Sequence, residues 1–270
     1  MRIALGLQYD GSPYSGWQTQ VNQNSVQDEL EKAISAFVGD SCKDAPIKTI
    51  TAGRTDAGVH ALMQVVHFDT PLDRSTASWV RGSNALLPRD IAVQWAQVMP
   101  DEFHCRGSAI ARRYAYVVLE SAIRPSVEVG RVGWVYRPLD LEAMQKAAQY
   151  LMGEHDFTSF RAASCQALTP VKTMTRIDIT RKSTQPGSAV WRFEFEASAF
   201  LHHMIRNLMG CFVKIGSGDK PPAWMAEVLA ARDRDAAAPT FSPDGLYFLG
   251  PRYDAQWDLP DRTPAYDGLP

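Results

Sequence analysis

From residue 2 the apolar positions alternate. Ile3, Leu5, Leu7 and Tyr9 fall on one face of a strand predicted over 2–10. The period then lengthens to that of a helix. Val26, Leu30, Ala33, Ile34 and Phe37 form one stripe. Ser25 opens it, Asp28 and Glu29 occupy its first turn, and Gly39 closes it. Strand-like runs return at 47–51 and 61–70. A second helix is predicted over 75–86, stopped by Pro88, and a strand over 91–98. The order is β-α-β-β-α-β, the split-βαβ or ferredoxin-like arrangement.

The same order then recurs. A strand is predicted over 110–119. Asp140 caps a helix with Leu141, Met144, Ala148 and Leu151 inward and Gly153 past its end. A strand over 172–181, a turn at 184–188 and a strand over 190–197 follow. In the last of these, Trp191, Phe193 and Phe195 oppose Arg192, Glu194 and Glu196. A helix is predicted over 201–215, with Leu201, Ile205, Leu208, Phe212 and Ile215 on one stripe, and a last strand over 245–251. The predicted fold is therefore α+β, with two ferredoxin-like (βαββαβ) halves. Their antiparallel sheets are expected side by side, with helices on one face, the other face open, and an active-site cleft between the halves. The expected division is 1–105, carrying an aspartate loop, 106–252, completing the site, and an irregular tail over 253–270.

Composition narrows the class. A chain of 270 residues with 45% hydrophobic content can bury a full core. No apolar run reaches the length of a membrane span, and the N-terminus lacks a signal-peptide layout, so a cytoplasmic protein without membrane contact is expected. Cys42, Cys105, Cys165 and Cys211 lie far apart and form no C-x-x-C pair, and no H-E-x-x-H occurs. Neither a metal site nor a disulfide framework is expected. The net charge is only −2, but residues 106–206 hold 14 basic against 9 acidic side chains. A basic middle can form a one-sided positive surface for nucleic acid.

The candidate chemistry centres on Ala52-Gly53-Arg54-Thr55-Asp56-Ala57-Gly58-Val59-His60. The two glycines permit positive φ and close backbone approach, so a tight loop between two strands is predicted. A lone carboxylate at its centre suits nucleophilic or general-base work, against the commoner role of an Asx-turn residue. His60, at a strand start, is expected to bond backbone and not to join Asp56 on a metal. His202 and His203, adjacent on a helix, are expected to point apart. On the strand over 110–119, arginine interleaved with tyrosine suits base stacking and phosphate contact, or equally a tyrosine-filled core. Arg206 lies beside an apolar helical stripe, where it would snorkel or enter a buried ion pair. Reaching Asp56, it would hold the carboxylate ionised. The residues alone leave open a non-catalytic RNA-binding protein and a metal-dependent hydrolase using Asp56, His60 and one of the paired histidines.

Five stretches carry a resemblance: Tyr9-Asp10-Gly11 through Gly16-Trp17-Gln18, the nine residues around Asp56, Ala111-Arg112-Arg113-Tyr114-Ala115-Tyr116, the run from Phe200 to Asn207, and Gly245-Leu246-Tyr247. In this order they resemble the tRNA pseudouridine synthase A (TruA) family. The resemblance implies a cofactor-free isomerase that turns uridine into pseudouridine at positions 38 to 40 of the tRNA anticodon stem-loop. It also implies a homodimer that grips tRNA across both subunits. By motif position Asp56 corresponds to the catalytic aspartate and Tyr114 to the active-site tyrosine. Arg206 corresponds to the basic partner of the aspartate and Leu246 to the apolar residue packed on the base. Arg54, in the aspartate loop, is expected to help bind or flip the nucleotide.

Overall fold

The structure, a computed structural model, describes residues 1–39 and 47–260. In chain order the first elements are β1 (Arg2–Tyr9), α1 (Val26–Val38), β2 (Ile50–Thr51), β3 (His60–Asp69), α2 (Thr76–Asn84) and β4 (Ile91–Met99). Then come β5 (Ala109–Glu120), β6 (Gly133–Val135), α3 (Leu141–Gln149), β7 (Gly153–Asp156), β8 (Val171–Gln185) and β9 (Ser188–Ala197). The last are α4 (Met204–Gly216), α5 (Trp224–Ala231) and β10 (Leu246–Tyr253). The fold is α+β. The chain divides into two units, Met1–Arg112 with the stretch that starts at Tyr247, and Arg113–Leu246. Most of β10 thus belongs with the first unit, although its place in the repeat follows the second.

The first unit has the strand order β4-β1-β3-β2, all antiparallel, which is the ferredoxin-like order. The strand predicted over 47–51 is confined to Ile50–Thr51. On β3, Tyr247 of β10 pairs with His60 in parallel, so the pairing is not purely antiparallel as expected. Helix α1 starts where a reciprocal capping box fixes it. Ser25 Oγ accepts from Asp28 N at 3.1 Å, and the Asp28 carboxylate accepts from Ser25 N at 3.2 Å. The helices supply an aromatic seam in which the Phe68 and Trp79 rings meet edge-on at 5.3 Å and Phe37 meets Trp79 at 5.5 Å.

The sheet face expected to be open is covered in this unit. Ala4, Ala52, Met63, Val65, Trp95, Met99, Phe103 and Cys105 form a second buried cluster, and Tyr253, Trp257 and Leu259 pack against it. β3 is buried at every position except Asp69, so one run of ten residues feeds two cores. Alternating hydrophobicity cannot reveal a second core when both faces are apolar. Residues 254–260 have no periodic pattern, yet they include a one-turn 3-10 helix (Ala255–Trp257) whose Trp257 ring lies 5.3 Å from Phe103. The tail over 261–270 and Cys42 lie outside the described residues.

In the second unit the order is β5-β9-β8-β7, with β6 parallel to β5. β8 and β9 form a long hairpin around Pro186-Gly187, where Gly187 takes a φ of 76°. Trp191, Phe193 and Phe195 are buried as predicted, with Phe212 of α4 at 5.8 Å from Phe193 and 6.2 Å from Phe195. The buried Glu120 carboxylate is satisfied by Trp191 Nε1 at 2.8 Å, Leu139 N at 3.0 Å and Arg181 at 3.3 Å. Helix α5 is absent from the predicted order. The helix predicted from 201 starts at Met204, because His203 takes a left-handed φ of 61°. Among the described residues no helix is long and apolar enough to cross a membrane.

Candidate active site

Asp56 is half-buried on the turn between β2 and β3. The turn is held from two directions. On one side it meets the loop after β1, where Trp17 N donates to Thr55 O at 3.0 Å and Gly58 N donates to Tyr14 O at 3.4 Å. Gly11 is required here, because a Cβ on it would lie 2.0 Å from Val59 O. Gly58 has a φ of 78°, the left-handed backbone predicted for it, whereas Gly53 does not adopt that region.

On the other side the turn is held by buried side chains of the strands. Gln64, fully buried on β3, donates from Nε2 to Gly53 O at 2.6 Å. The Tyr9 hydroxyl on β1 shares a hydrogen bond with Thr55 Oγ1 at 2.7 Å. Burial pushes the Tyr9 hydroxyl up to about 12, so it keeps its proton. The carbonyl before Arg54 and the hydroxyl before Asp56 are therefore both fixed. The sequence pattern singles out neither Tyr9 nor Gln64 for a role in the site. A signal existed, since a glutamine inside the apolar run Ala61-Leu62-Met63-Gln64-Val65-Val66 demands a buried partner.

The loop after β1 is itself anchored. The Tyr14 hydroxyl donates to Asp90 Oδ1 at 2.7 Å, and burial first, then that bond, raises its pKa. His60 is buried. Its Nδ1 lies 3.2 Å from Gly11 N and 3.1 Å from Asp10 Oδ1, and its ring stacks on Tyr247 at 4.6 Å. His60 is thus engaged with the loop backbone, as its position at a strand start suggested. Arg54 is exposed, and partial burial followed by the Arg106 cation lowers its pKa.

The other named residues stand on the second unit. Tyr114 on β5 is 9% exposed, with its ring edge-on to Phe200 at 5.2 Å. Tyr116 is fully buried, donates its hydroxyl to Ser242 O and meets Phe241 at 5.7 Å. Both tyrosines are buried, Tyr116 the more deeply. Arg206 lies in the first turn of α4. Its Nε donates to Phe241 O at 2.9 Å, and Phe241 N donates back to Arg206 O at 3.1 Å. Asn207 beside it is fully buried. It donates to Phe160 O at 2.8 Å and accepts from Thr240 Oγ1 at 2.7 Å and Arg234 at 3.0 Å. Leu246 is buried at the start of β10.

His202 and His203 do not point apart as predicted for a helix. They precede it, and their ring centroids lie 4.0 Å from each other, because the left-handed His203 turns the chain before the helix begins. His202 is exposed, with Nδ1 at 3.1 Å from Ser164 Oγ.

Residues 7–106 and 147–254 match the family described as tRNA pseudouridine synthase. The chain is 70% identical over 270 residues to the tRNA pseudouridine synthase A of Polaromonas naphthalenivorans (strain CJ2), with all of both chains covered. It is 66% identical to that of Polaromonas sp. (strain JS666 / ATCC BAA-500), again with full coverage of both. Among solved structures, a chain of a Cbf5-Nop10-Gar1 complex aligns with a TM-score of 0.36 and 9% identity. That alignment covers 90% of this chain and 47% of that chain, a likeness too slight to bear on fold or function.

Proposed function

The chain belongs to the tRNA pseudouridine synthase family and converts uridine to pseudouridine in tRNA, and we propose that it acts at positions 38, 39 and 40 of the anticodon stem-loop with Asp56 as the reacting group. The reaction breaks the N1–C1′ bond, turns the uracil and joins C5 to C1′. A proton leaves C5 and one is taken up at N1. No atom is gained or lost, so no oxidant, reductant or group donor enters the balance. The step needs an ionised nucleophile or base near the sugar and the base, which is the part given to Asp56.

The remaining roles follow the motif positions. Arg206 keeps the aspartate ionised. Tyr114 stacks on the extruded base, a contact worth about 1–3 kcal/mol, against an unstacking cost of roughly a few kcal/mol. Leu246 supplies an apolar cover that keeps detached uracil from escaping. Arg54 helps draw the nucleotide from the helix. Residues 1–105 supply the aspartate loop and 106–252 complete the site and the basic RNA surface. The enzyme works as a cytoplasmic homodimer.

The observation that carries this reading is the bracing of the turn that holds one half-buried carboxylate, by backbone on one side and buried polar side chains on the other. A group that must meet a carbon atom within a fraction of an ångström gains from such fixing. The test is incubation with tRNA labelled with tritium at uridine C5. Tritium should pass to water with turnover. If stoichiometric protein releases none while still binding tRNA, the chain is an RNA-binding protein without this activity.

A further inference from the structure

The first unit holds a second charged feature beside the Asp56 loop. Arg106 stands on the tight turn between β4 and β5. That turn is pinned at several points. Cys105 N donates to His67 Nδ1 at 3.4 Å, and the Tyr253 hydroxyl donates to Cys105 O at 2.6 Å. Arg106 N and Gly107 N both donate to His104 Nδ1, at 3.2 and 3.1 Å. The side chain is held as well. Arg106 Nε donates to Thr51 O at 3.2 Å, at the end of β2. Behind it, Arg112 Nη2 donates to Arg106 O at 2.6 Å and approaches Ala52 O at 3.5 Å. The Arg106 guanidinium is thus tied to the backbone that continues, three residues later, into Arg54.

Both side chains are exposed. Among the described residues neither Arg54 nor Arg106 makes an ion pair with a carboxylate. Other cations of the chain do so, as in Arg2–Asp69 at 2.8 Å, Lys48–Glu31 at 2.9 Å and Arg232–Asp156 at 3.6 Å. Burial first, then the positive charge of Arg106, lowers the pKa of Arg54. An anion placed against both cations would offset their repulsion. With Nε committed to Thr51 O, the terminal nitrogens of Arg106 remain to make a two-pronged contact, the geometry that suits a phosphate.

We propose that Arg54 and Arg106 form a subsite for a backbone phosphodiester of the RNA strand, with Arg112 fixing Arg106 from behind. The inference rests on the reading that the substrate is tRNA. Because the turn is pinned before RNA arrives, Arg106 loses little further freedom on binding. Its contribution is to grip, whereas the contribution of Asp56 is to the reaction.

The experiment compares full-length wild type with Arg106→Gln, Arg106→Lys and the remote surface control Lys32→Gln, using filter binding to a tRNA transcript across a salt series. Arg106→Gln should weaken binding about tenfold and lower the slope of log Kd against log salt by about one. Arg106→Lys keeps the charge and should keep the slope, with a loss of about threefold from the missing fork. At saturating enzyme, single-turnover tritium release by Arg106→Gln should stay within about threefold of wild type, because only binding is lost. An unchanged Kd and slope in Arg106→Gln, or an equal change in Lys32→Gln, would overturn the proposal. A weaker Kd with an unchanged slope and a lowered melting temperature would overturn it too, as the mark of a structural role. If wild type binds tRNA but releases no tritium, the synthase reading fails, and the salt slope still decides the phosphate subsite.

Discussion

The turn that carries Asp56 and the turn that leads to Arg206 solve one problem in different ways. Both present a charged side chain next to a regular element. The Asp56 turn uses glycine where φ is positive, at Gly58, and close approach of a neighbouring loop at Gly11. It is then locked by backbone bonds with the loop after β1, and by Gln64 and Tyr9 on adjacent strands. The Arg206 turn uses a non-glycine residue in the left-handed region, His203, at a cost of roughly 1–2 kcal/mol. It is held by residues about thirty positions onward, through Phe241, Thr240 and Arg234. The glycine that shapes the first turn can be recognised from its own nine residues, whereas the partners that brace it lie elsewhere in the chain. The second turn becomes visible only when the chain has folded.

The largest expected effect comes from breaking the first turn at its chemistry. Asp56→Asn keeps the shape and removes the charge. Single-turnover tritium release should fall by at least about a thousandfold, while tRNA affinity stays within about threefold, because on the proposed reading the carboxylate reacts and does not grip. Rates and filter-binding constants measured on the same preparation decide the matter. Loss of binding in proportion to loss of rate would remove Asp56 from its assigned role.

The next pair tests the two bracing schemes against each other. Gln64 and Asn207 are both fully buried. Gln64→Leu leaves the Gly53 carbonyl without its 2.6 Å donor, and Asn207→Leu leaves Phe160 O, Thr240 and Arg234 without theirs. Each unpaired buried group costs about 1–3 kcal/mol. With three bonds removed against one, Asn207→Leu should lower the urea midpoint more, by a modest margin because Arg234 and Thr240 keep the 3.0 Å bond between them. Gln64→Leu should lower kcat more, by about tenfold to a hundredfold with KM little changed, because Gly53 directly precedes Arg54 in the turn that holds Asp56. Equal stability losses with equal kcat losses would mean that the two turns do not differ in kind.

The difference between the turns also explains what the sequence revealed. The first βαββαβ order, its Ser25 capping box and the Gly58 turn follow from local patterns that the structure reproduces. The second buried cluster over β1 and β3 does not, because continuous apolar runs hide which face is covered and by what. Its cover comes partly from Tyr253, Trp257 and Leu259, far along the chain. The late start of the predicted helix after His203 was hidden for another reason, since nothing in the local sequence forces a histidine into the left-handed region. Tyr9 and Gln64 carry a readable signal, as polar groups in buried strands, but their partner loop cannot be named from period alone.

A smaller effect is expected at Tyr114, which on the proposed reading contributes its ring face. Tyr114→Phe retains the edge-on packing against Phe200 and the stacking surface. Tritium release should fall by less than about tenfold, whereas Tyr114→Ala should lose the stacking energy, about 1–3 kcal/mol, in the rate at subsaturating tRNA. A Phe variant as inactive as the Ala variant would move the role from the ring to the hydroxyl.

The smallest effect separates the two regions by pH. His67 is buried on β3, and its Nδ1 accepts from Cys105 N in the turn that carries Arg106. Burial first, then the Arg2 and His104 cations, lowers its pKa from 6.5 to about 4. Between those values the unfolded chain binds a proton that the folded chain refuses, so stability rises with pH in that window. It is complete above 6.5, falls as pH drops toward 4, and levels off below. The limit is roughly 1 kcal/mol per pH unit. The Asn207 network of the second unit contains no group that titrates in this window, so acid should loosen the His67 contact before that network. Urea unfolding at pH 7 and pH 5 should show a loss of roughly 1–2 kcal/mol in wild type and a smaller one in His67→Asn, whose side-chain oxygen can accept the same bond without charging. Hydrogen exchange, corrected for its intrinsic pH dependence, should rise around Cys105 before it rises around Asn207. Identical pH losses in wild type and His67→Asn would place the acid sensitivity in other groups.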